Sequence, residues 1–346
     1  MLDQTRHSIF LLSSLPPWKT ARETLESGLA QIRLADELGF DAAWVAEHNA
    51  REYAIVGSAH VYMAAAIGAT SRIRVGSACT RLPVHHPLHL AEDLAMLDQL
   101  SGGRVDWGIG KGYDPLEFKS YGMHEDERDA RYEEILAIVL AAWTDGEVKF
   151  EGRYYSIPHA SYEDGVVRVF PSVFQQPHPP VYQMVSGSAD SIRRAAGNGH
   201  SFILAPTMSR AEIAEKVALY RGEAREAGFG DDHIDERLAA SSQLKPLHIA
   251  ETAERAAAEF ERGFMWYMER RDNRGMFGFS KWELPYLDYI ENGGITVGSA
   301  EKVAEDLSSF RRETGLGGVV SWFDCGGQPQ PQVEDAMREY ARVLIG

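Results

Sequence analysis

The chain has 346 residues, of which 44% are hydrophobic and 25% are charged, so its composition is that of an ordinary globular protein and excludes a disordered one. Its 51 acidic residues outnumber its 35 basic ones, and the resulting net charge of -16 opposes binding to a nucleic-acid backbone. Because Cys79 and Cys325 are its only cysteines and lie far apart, neither a disulfide framework nor a cysteine zinc site is expected.

The sequence has no evident targeting or membrane-spanning segment. The stretch MLDQTRHSIFLLSSLPPWK lacks the basic leader and the long apolar region of a signal peptide. Nowhere do about 18 apolar residues follow one another, the length that a spanning helix needs. We therefore expect a soluble, cytoplasmic protein with neither a membrane nor a nucleic acid among its partners.

Short apolar or β-branched runs alternate with longer segments of helical period, a pattern typical of parallel βα units. The first four predicted strands are HSIFLLSSL, FDAAWVAEH, RIRVGSACTRLP and RVDWGIG, and a helix follows each of them. In the third helix, Leu90, Leu94 and Leu97 recur on one stripe before a Ser-Gly-Gly turn. Residues 144–180 break the alternation, and we interpret them as a hairpin-rich insertion after strand four.

The alternation resumes with the predicted strands PVYQMVSGS, SFILAP and SSQLKPLHIA. A long irregular stretch, residues 270–294, follows strand seven, and GGVVSWFDCGG forms the last strand. Eight parallel strands with helices outside predict an α/β protein, a single (β/α)8 TIM barrel over residues 1–346. The active site of such a barrel lies at the C-terminal ends of its strands.

The residues that follow the predicted strands include one histidine, several hydroxyls and several glycines. His48 ends a buried strand, where an imidazole could act as a general acid or base, and an ordinary buried histidine is the alternative. No compact set of carboxylates occurs at these positions, which disfavours a metal hydrolase or a paired-carboxylate glycosidase. His85 and His89 are four residues apart, but Pro87 interrupts them and no third ligand is evident, so no metal site is predicted.

A candidate anion site lies at the junction of strand five with its helix. There VSGSADS places Gly187, Ser188 and Ser191 where backbone N–H groups and the helix dipole favour an anion such as phosphate. The alternative is that Ser188 or Ser191 only caps the helix. Lys111 in GIGKG would add a cation from the neighbouring strand, unless it is a solvated loop lysine.

Several stretches together are similar to the luciferase-like monooxygenase family, which includes the bacterial luciferase (alkanal monooxygenase) subunits and their flavin-dependent relatives. These stretches are WVAEHN, GSACTRLPVHHP, LAEDLAMLDQLSGGRVDWGIGKGYDPLEFKSYG, FEGRYYSIP with QQPHPP, VSGSADSIRRAA and ITVGSAEKVAEDL. They occur in family order across nearly the whole chain. The most specific is LAEDLAMLDQLSGGR, in which an acidic pair, Leu-Asp and a Ser-Gly-Gly-Arg turn occur together.

The resemblance implies a barrel that binds reduced FMN from a separate flavin reductase and activates O2 as a C4a-peroxyflavin, to oxidise an aldehyde or another small organic substrate. It implies that His48 is the catalytic histidine and that a cis peptide joins Ala78 to Cys79 against the flavin. The remaining cofactor-binding positions that it implies are Gly110, Lys111, Glu117, Gly187, Ser188 and Ser191. Luciferase has a cysteine where Gly110 stands, and Lys111 replaces an arginine, which keeps the charge but loses the bidentate fork.

Two alternatives keep the fold and change the function. One is an oxidoreductase that transfers hydride with the deazaflavin F420, and the other is a non-catalytic flavin-binding paralogue. The resemblance further implies that residues 270–294 form a lid, which together with the 144–180 insertion would determine substrate choice. Family members pair through helices on one side of the barrel, so a homodimer or a heterodimer with a related subunit is expected.

Overall fold

The computed structural model describes residues 5–162, 165–206, 208–272, 285–291 and 293–346. Most of the candidate lid predicted at residues 270–294 lies outside the described residues. The described parts of that stretch are the end of one helix, Ala253–Asp272, a short helix, Tyr286–Glu291, and residues 293 and 294.

Eight parallel strands form a closed barrel. They are β1 (Arg6–Leu11), β2 (Ala42–Val45), β3 (Arg74–Ser77), β4 (Val105–Gly110), β5 (Val181–Val185), β6 (Ser201–Leu204), β7 (Ser242–Ile249) and β8 (Gly318–Trp322). Each strand pairs with the next one in the chain, and β8 pairs with β1 from Arg6 opposite Gly318 to Ile9 opposite Ser321. The predicted TIM barrel is therefore confirmed.

Helices surround the barrel. They are α1 (Ala21–Leu38), α2 (Ala59–Gly68), α3 (Pro87–Ser101), α4 (Pro115–Ser120), α5 (Arg128–Thr144), α6 (Ala189–Gly197), α7 (Arg210–Glu226), α8 (Asp231–Ala240), α9 (Ala253–Asp272), α10 (Tyr286–Glu291), α11 (Ala300–Ser308), α12 (Phe310–Thr314) and α13 (Gln330–Leu344). Among the described residues, no helix combines the length and the apolar character that crossing a bilayer requires.

Local sequence determines where the first of these helices begins and ends. Thr20 and Glu23 form a capping box at the start of α1, in which the Thr20 hydroxyl accepts the N–H of Glu23 and the Glu23 carboxylate accepts the N–H of Thr20. The helix ends at Gly39, which has a φ of 85° in the left-handed region that favours glycine. These signals orient α1 so that the chain returns to the barrel at β2.

The core has two layers, one inside the barrel and one between the strands and the helices. The inner layer is rich in aromatic residues, and its buried members include Phe10, Trp44, Tyr182 and Trp322, together with the aliphatic Leu244. A Cβ atom at Gly76 would lie 2.4 Å from the Trp44 ring, so a glycine in β3 makes room for this side chain. Each fully buried apolar side chain of this kind contributes about 1.5–3 kcal/mol.

The connection between β4 and β5, residues 111–180, is about as long as that between β7 and β8, residues 250–317, and both are much longer than the others. It contains α4, α5 and two small antiparallel ladders, in which Glu147–Val148 pairs with Val167–Arg168 and Phe150–Glu151 pairs with Ser156–Ile157. Residues 163 and 164 of this connection lie outside the described residues. The ladders lie within the segment predicted as an insertion at residues 144–180.

Candidate active site

A cavity opens at the C-terminal ends of the barrel strands. Six of the residues proposed from sequence line it: His48, Ala78, Cys79, Gly110, Lys111 and Ser191. Its other walls are largely apolar and include Phe10, Leu12, Met184, Val185, Leu244 and Trp322. The barrel topology therefore brings residues from β1 through β8 to one place, as the C-terminal mouth of a TIM barrel does in enzymes.

His48, after β2, forms a pair with Glu117 of α4. Its Nδ1 lies 2.8 Å from Oε1 of Glu117, and the same oxygen accepts the backbone N–H of Asn49 at 3.0 Å. Glu117 is held there because α4 starts at a short signal, in which the Asp114 side chain accepts the N–H of Leu116 and a proline occupies the first helical position. Glu117 is 2% exposed, whereas His48 is half-buried at the cavity wall.

The surroundings of Glu117 favour its ionised form. Burial alone would raise this pKa, but the hydrogen bond with His48 and the positive charge of Arg81 lower it below the ordinary value. The carboxylate is therefore ionised at neutral pH and accepts, so Nδ1 of His48 donates. In the neutral imidazole, this tautomer leaves Nε2 as an acceptor that can take a proton and return it.

Arg81 extends this pair into a buried network that sequence reasoning missed. Its guanidinium lies 2.9 Å from Glu117 and 3.4 Å from Glu47, and Glu47 also lies 2.9 Å from Nε2 of His85. Burial raises the pKa of Glu47, but the hydrogen bond with His85 and the charges of His85 and Arg81 lower it to about 2. His85, considered above as a metal ligand with His89, therefore has a carboxylate partner, and no group of three or more metal-ligating side chains occurs in the described part of the chain.

The segment that follows β3 lies very close to the end of β4. The peptide bond between Ala78 and Cys79 is cis, and the Cys79 thiol is kept neutral because burial raises its pKa to about 12. A Cβ atom at Gly110 would lie only 2.4 Å from Sγ of Cys79. Glycine at this position thus permits the contact between the Cys79 side chain and the end of β4.

The predicted anion site has a more elaborate geometry than its sequence indicates. The Ser188 hydroxyl caps α6 by accepting the N–H of Ser191 at 3.2 Å, and the two hydroxyl oxygens are 3.0 Å apart. Gly187 has a φ of 143°, and its carbonyl accepts a hydrogen bond from Lys216 at 2.8 Å. Only Ser191 of these four lines the cavity, so the capping role considered for Ser188 is the one that the structure describes.

Lys111 reaches this end of the cavity from β4. Its Nζ lies 2.8 Å from a carboxylate oxygen of Asp129, a side chain that is 57% exposed. Burial raises the pKa of Asp129, but the hydrogen bond with Lys111 lowers it below the ordinary value. Lys111 is therefore a paired cation that lines the same cavity as Ser191 in the first turn of α6, and an incoming anion would share it with Asp129.

Comparison with known proteins identifies related sequences. The family model for luciferase-like monooxygenases matches residues 5–317. The alkanal monooxygenase alpha chain of Photobacterium leiognathi is 24% identical over 343 residues, which cover 93% of each chain. The corresponding chain of Photorhabdus luminescens is 29% identical over 229 residues, and the match spans 66% of this chain but 61% of that relative.

Solved structures share the whole fold. A monooxygenase from Streptomyces bottropensis superposes with a TM-score of 0.85 at 26% identity, and 98% of each chain is covered. The oxygenating constituent of 3,6-diketocamphane monooxygenase from Pseudomonas putida, in complex with FMN, has a TM-score of 0.82 at 20% identity over 98% of each chain. An F420-dependent secondary alcohol dehydrogenase has a TM-score of 0.75 at 18% identity over 99% of each chain. On the family match and the shared fold, this chain belongs to the luciferase-like monooxygenase family.

Proposed function

We propose that this protein is a flavin-dependent monooxygenase that takes reduced FMN from a separate flavin reductase and uses O2 to oxidise an aldehyde or another small organic substrate. The observation that carries the proposal is the composition of one cavity. Its lining combines apolar walls with His48, Lys111 and Ser191, the last of these in the first turn of α6. An apolar cavity with few polar groups is the usual form of a small-molecule site.

The residues present fit FMN. Trp322 Nε1 and Arg81 Nε are buried N–H donors with no hydrogen-bond partner among the described residues, and both side chains line the cavity. A flavin ring system offers carbonyl and ring-nitrogen acceptors for such donors, since buried donors are rarely left unpaired. Lys111 and Ser191 would hold the phosphate, because a cation and a helix N-terminus together favour an anion.

The chain's own residues have definable roles in this activity. Reduced FMN, when bound, supplies the electrons for activating O2. His48 holds or accepts a proton at Nε2 while Glu117 keeps the ring in one tautomer. The apolar walls formed by Phe10, Leu12 and Met184 exclude water, which slows side reactions of reactive species.

The relatives support FMN over F420 only in part, since FMN- and F420-dependent proteins share this fold. The cavity itself favours FMN. Among its described lining residues the lysine and arginine side chains are Arg81 and Lys111, and both are paired with carboxylates. This supply of positive charge suits one phosphate better than the acidic tail of F420.

Stopped-flow absorbance tests the proposal. Protein loaded anaerobically with reduced FMN is mixed with oxygenated buffer, and the flavin spectrum is followed. We expect a transient spectrum distinct from both reduced and oxidised flavin, and oxygen consumption that couples to product when aldehydes are added. Reoxidation at the rate of free flavin, together with hydride transfer from an alcohol to F420 without oxygen uptake, would instead identify an F420 oxidoreductase.

A further inference from the structure

A second cavity, of about 490 Å³, lies outside the barrel wall. It is bounded by β7, the N-terminal end of α7 and the helices α10, α11 and α12. Gln243 and Lys245 of β7 point into it, whereas Leu244 between them lines the candidate active site. Successive side chains of a strand point to opposite faces, so the two cavities lie on opposite sides of the same strand.

Gln243 brings an unused acceptor to this cavity. The side chain is 1% exposed, and its Nε2 donates to the carbonyl of Met208 at 3.2 Å. Because that carbonyl can only accept, the amide orientation is fixed and Oε1 faces elsewhere. Oε1 has no hydrogen-bond partner among the described residues. Leaving such a buried acceptor unpaired is costly, so the site is completed by a donor from a ligand or solvent.

Lys245 brings unused N–H donors and a positive charge that has no ion-pair partner among the described residues. The residue is 9% exposed, and its Nζ donates to the carbonyl of Gly293 at 2.9 Å. An ammonium has three N–H donors, and no ion pair joins this one to a carboxylate in the described part of the chain. Burial, reinforced by the nearby positive charge of Arg210, lowers the pKa of Lys245 to about 8.

The other cations of the cavity are already paired. Arg210 forms an ion pair with Glu313, and Lys302 lies 2.8 Å from Asp306. Glu291 also lines the cavity, as an exposed carboxylate, and the charge of Asp306 partly offsets that of Lys245. Among the described residues, Lys245 is the cation of this cavity without a carboxylate at ion-pair distance, and its single charge matches a monoanion better than a phosphate dianion. Phe310 adds an apolar wall.

We propose that this cavity binds a small hydroxycarboxylate, with its carboxylate on Lys245 and its hydroxyl donating to Oε1 of Gln243. Alternate residues of a strand are about 6.6–6.8 Å apart, so a short methylene chain between the two groups would span the site. The volume lies within the range of small-molecule sites. This site is separate from the proposed flavin cavity, and the proposal does not depend on the enzyme's activity.

The test compares three probes on protein saturated with FMN, so that the first cavity is occupied. The probes are 4-hydroxybutyrate, butyrate, which lacks the hydroxyl, and 1,4-butanediol, which lacks the charge. Saturation-transfer NMR titrations measure their dissociation constants. We expect 4-hydroxybutyrate to bind at least about tenfold more tightly than either analogue, which corresponds to about 1.4 kcal/mol.

Two variants assign that binding to the cavity. Lys245→Met should weaken 4-hydroxybutyrate binding about tenfold or more, while Lys149→Met, a change of an exposed lysine elsewhere, should leave it unchanged. Gln243→Leu should abolish the preference for 4-hydroxybutyrate over butyrate. The proposal is overturned if wild-type protein shows no saturable binding, or if Lys245→Met binds the probe as tightly as wild type. If Lys245→Met fails to fold, Gln243→Leu becomes the deciding variant. Loss of its preference for 4-hydroxybutyrate over butyrate supports the proposal, and retention of that preference overturns it.

Discussion

Nδ1 of His48 lies 2.8 Å from Oε1 of Glu117, a hydrogen bond between residues 69 positions apart in the sequence. A buried carboxylate behind an imidazole that is only 13% exposed fixes both the orientation and the tautomer of the ring. Proton exchange therefore takes place at Nε2, the ring nitrogen that does not face Glu117.

Replacing His48 with alanine should lower turnover by about 10²- to 10⁴-fold, because a general acid–base group is lost. Its affinity for FMN should stay close to that of wild type. His89→Ala is the matched control, since His89 is exposed on α3 and should be silent in both measurements. Steady-state oxygen uptake and a flavin titration check the two parts. Turnover that survives in His48→Ala would assign His48 a purely structural role.

Replacing Lys111 with methionine should weaken FMN binding by about 1–3 kcal/mol, as loss of a charged hydrogen bond does. Riboflavin has no phosphate, so its affinity should be unaffected by the same change. Quenching of flavin fluorescence measures both affinities, and Lys119→Met, an exposed lysine of α4, serves as the control. Equal losses for FMN and riboflavin would show that Lys111 acts on the ring system or on folding.

Gly110→Ala should lower the free energy of unfolding by about 1–3 kcal/mol, because the added Cβ would lie 2.4 Å from Sγ of Cys79. Adding Cys79→Ala should recover much of this loss. Gly108→Ala is the contrast, since its Cβ would lie 1.9 Å from the backbone oxygen of Ser77, which no side-chain truncation relieves. Urea unfolding of the single and double variants measures the coupling. Additive effects of Gly110→Ala and Cys79→Ala would contradict the clash.

Stability should fall on acidification partly through His60. Burial lowers its pKa to about 4, whereas in the unfolded chain it is about 6.5. The unfolded state therefore binds the proton more readily between these values, so the contribution is full above pH 6.5 and is lost as the pH falls towards 4. His60→Gln should reduce the loss of unfolding free energy between pH 7 and pH 5 by about 1–2 kcal/mol. Urea midpoints at both pH values check this, with the exposed His89→Gln expected to show no such change.

The barrel could be predicted because each strand is a short apolar run bounded by turn residues, and because closure follows from the strand count. The placement of His48, Cys79 and Lys111 around one cavity follows from the same topology, since each ends a strand. The partners of these residues could not be predicted. Arg81 and Glu47 are 34 positions apart and meet only when neighbouring strands have folded together.

Two further features, the partner of Lys111 and the cavity at Lys245, are only weakly indicated by the sequence. The pairing of Lys111 with Asp129 depends on how α5 packs against the end of β4, which no local pattern specifies. The sequence pattern places Lys245 within a predicted strand and gives it no further role. A lysine inside a strand that is buried along its whole length is unusual, and that pattern alone could have indicated a cavity on the outer face of β7.

The pairing of β1 with β8 joins residues from opposite ends of the chain, from Arg6 with Gly318 to Ile9 with Ser321. During synthesis on the ribosome, one edge of β1 has no strand partner until β8 has been made. This takes roughly 300 further residues, or about 15–60 s at ordinary elongation rates. During that interval the unpaired edge can recruit strands from neighbouring chains. Nascent chains stalled before residue 318 cannot close the barrel, so β1 keeps an open edge in them.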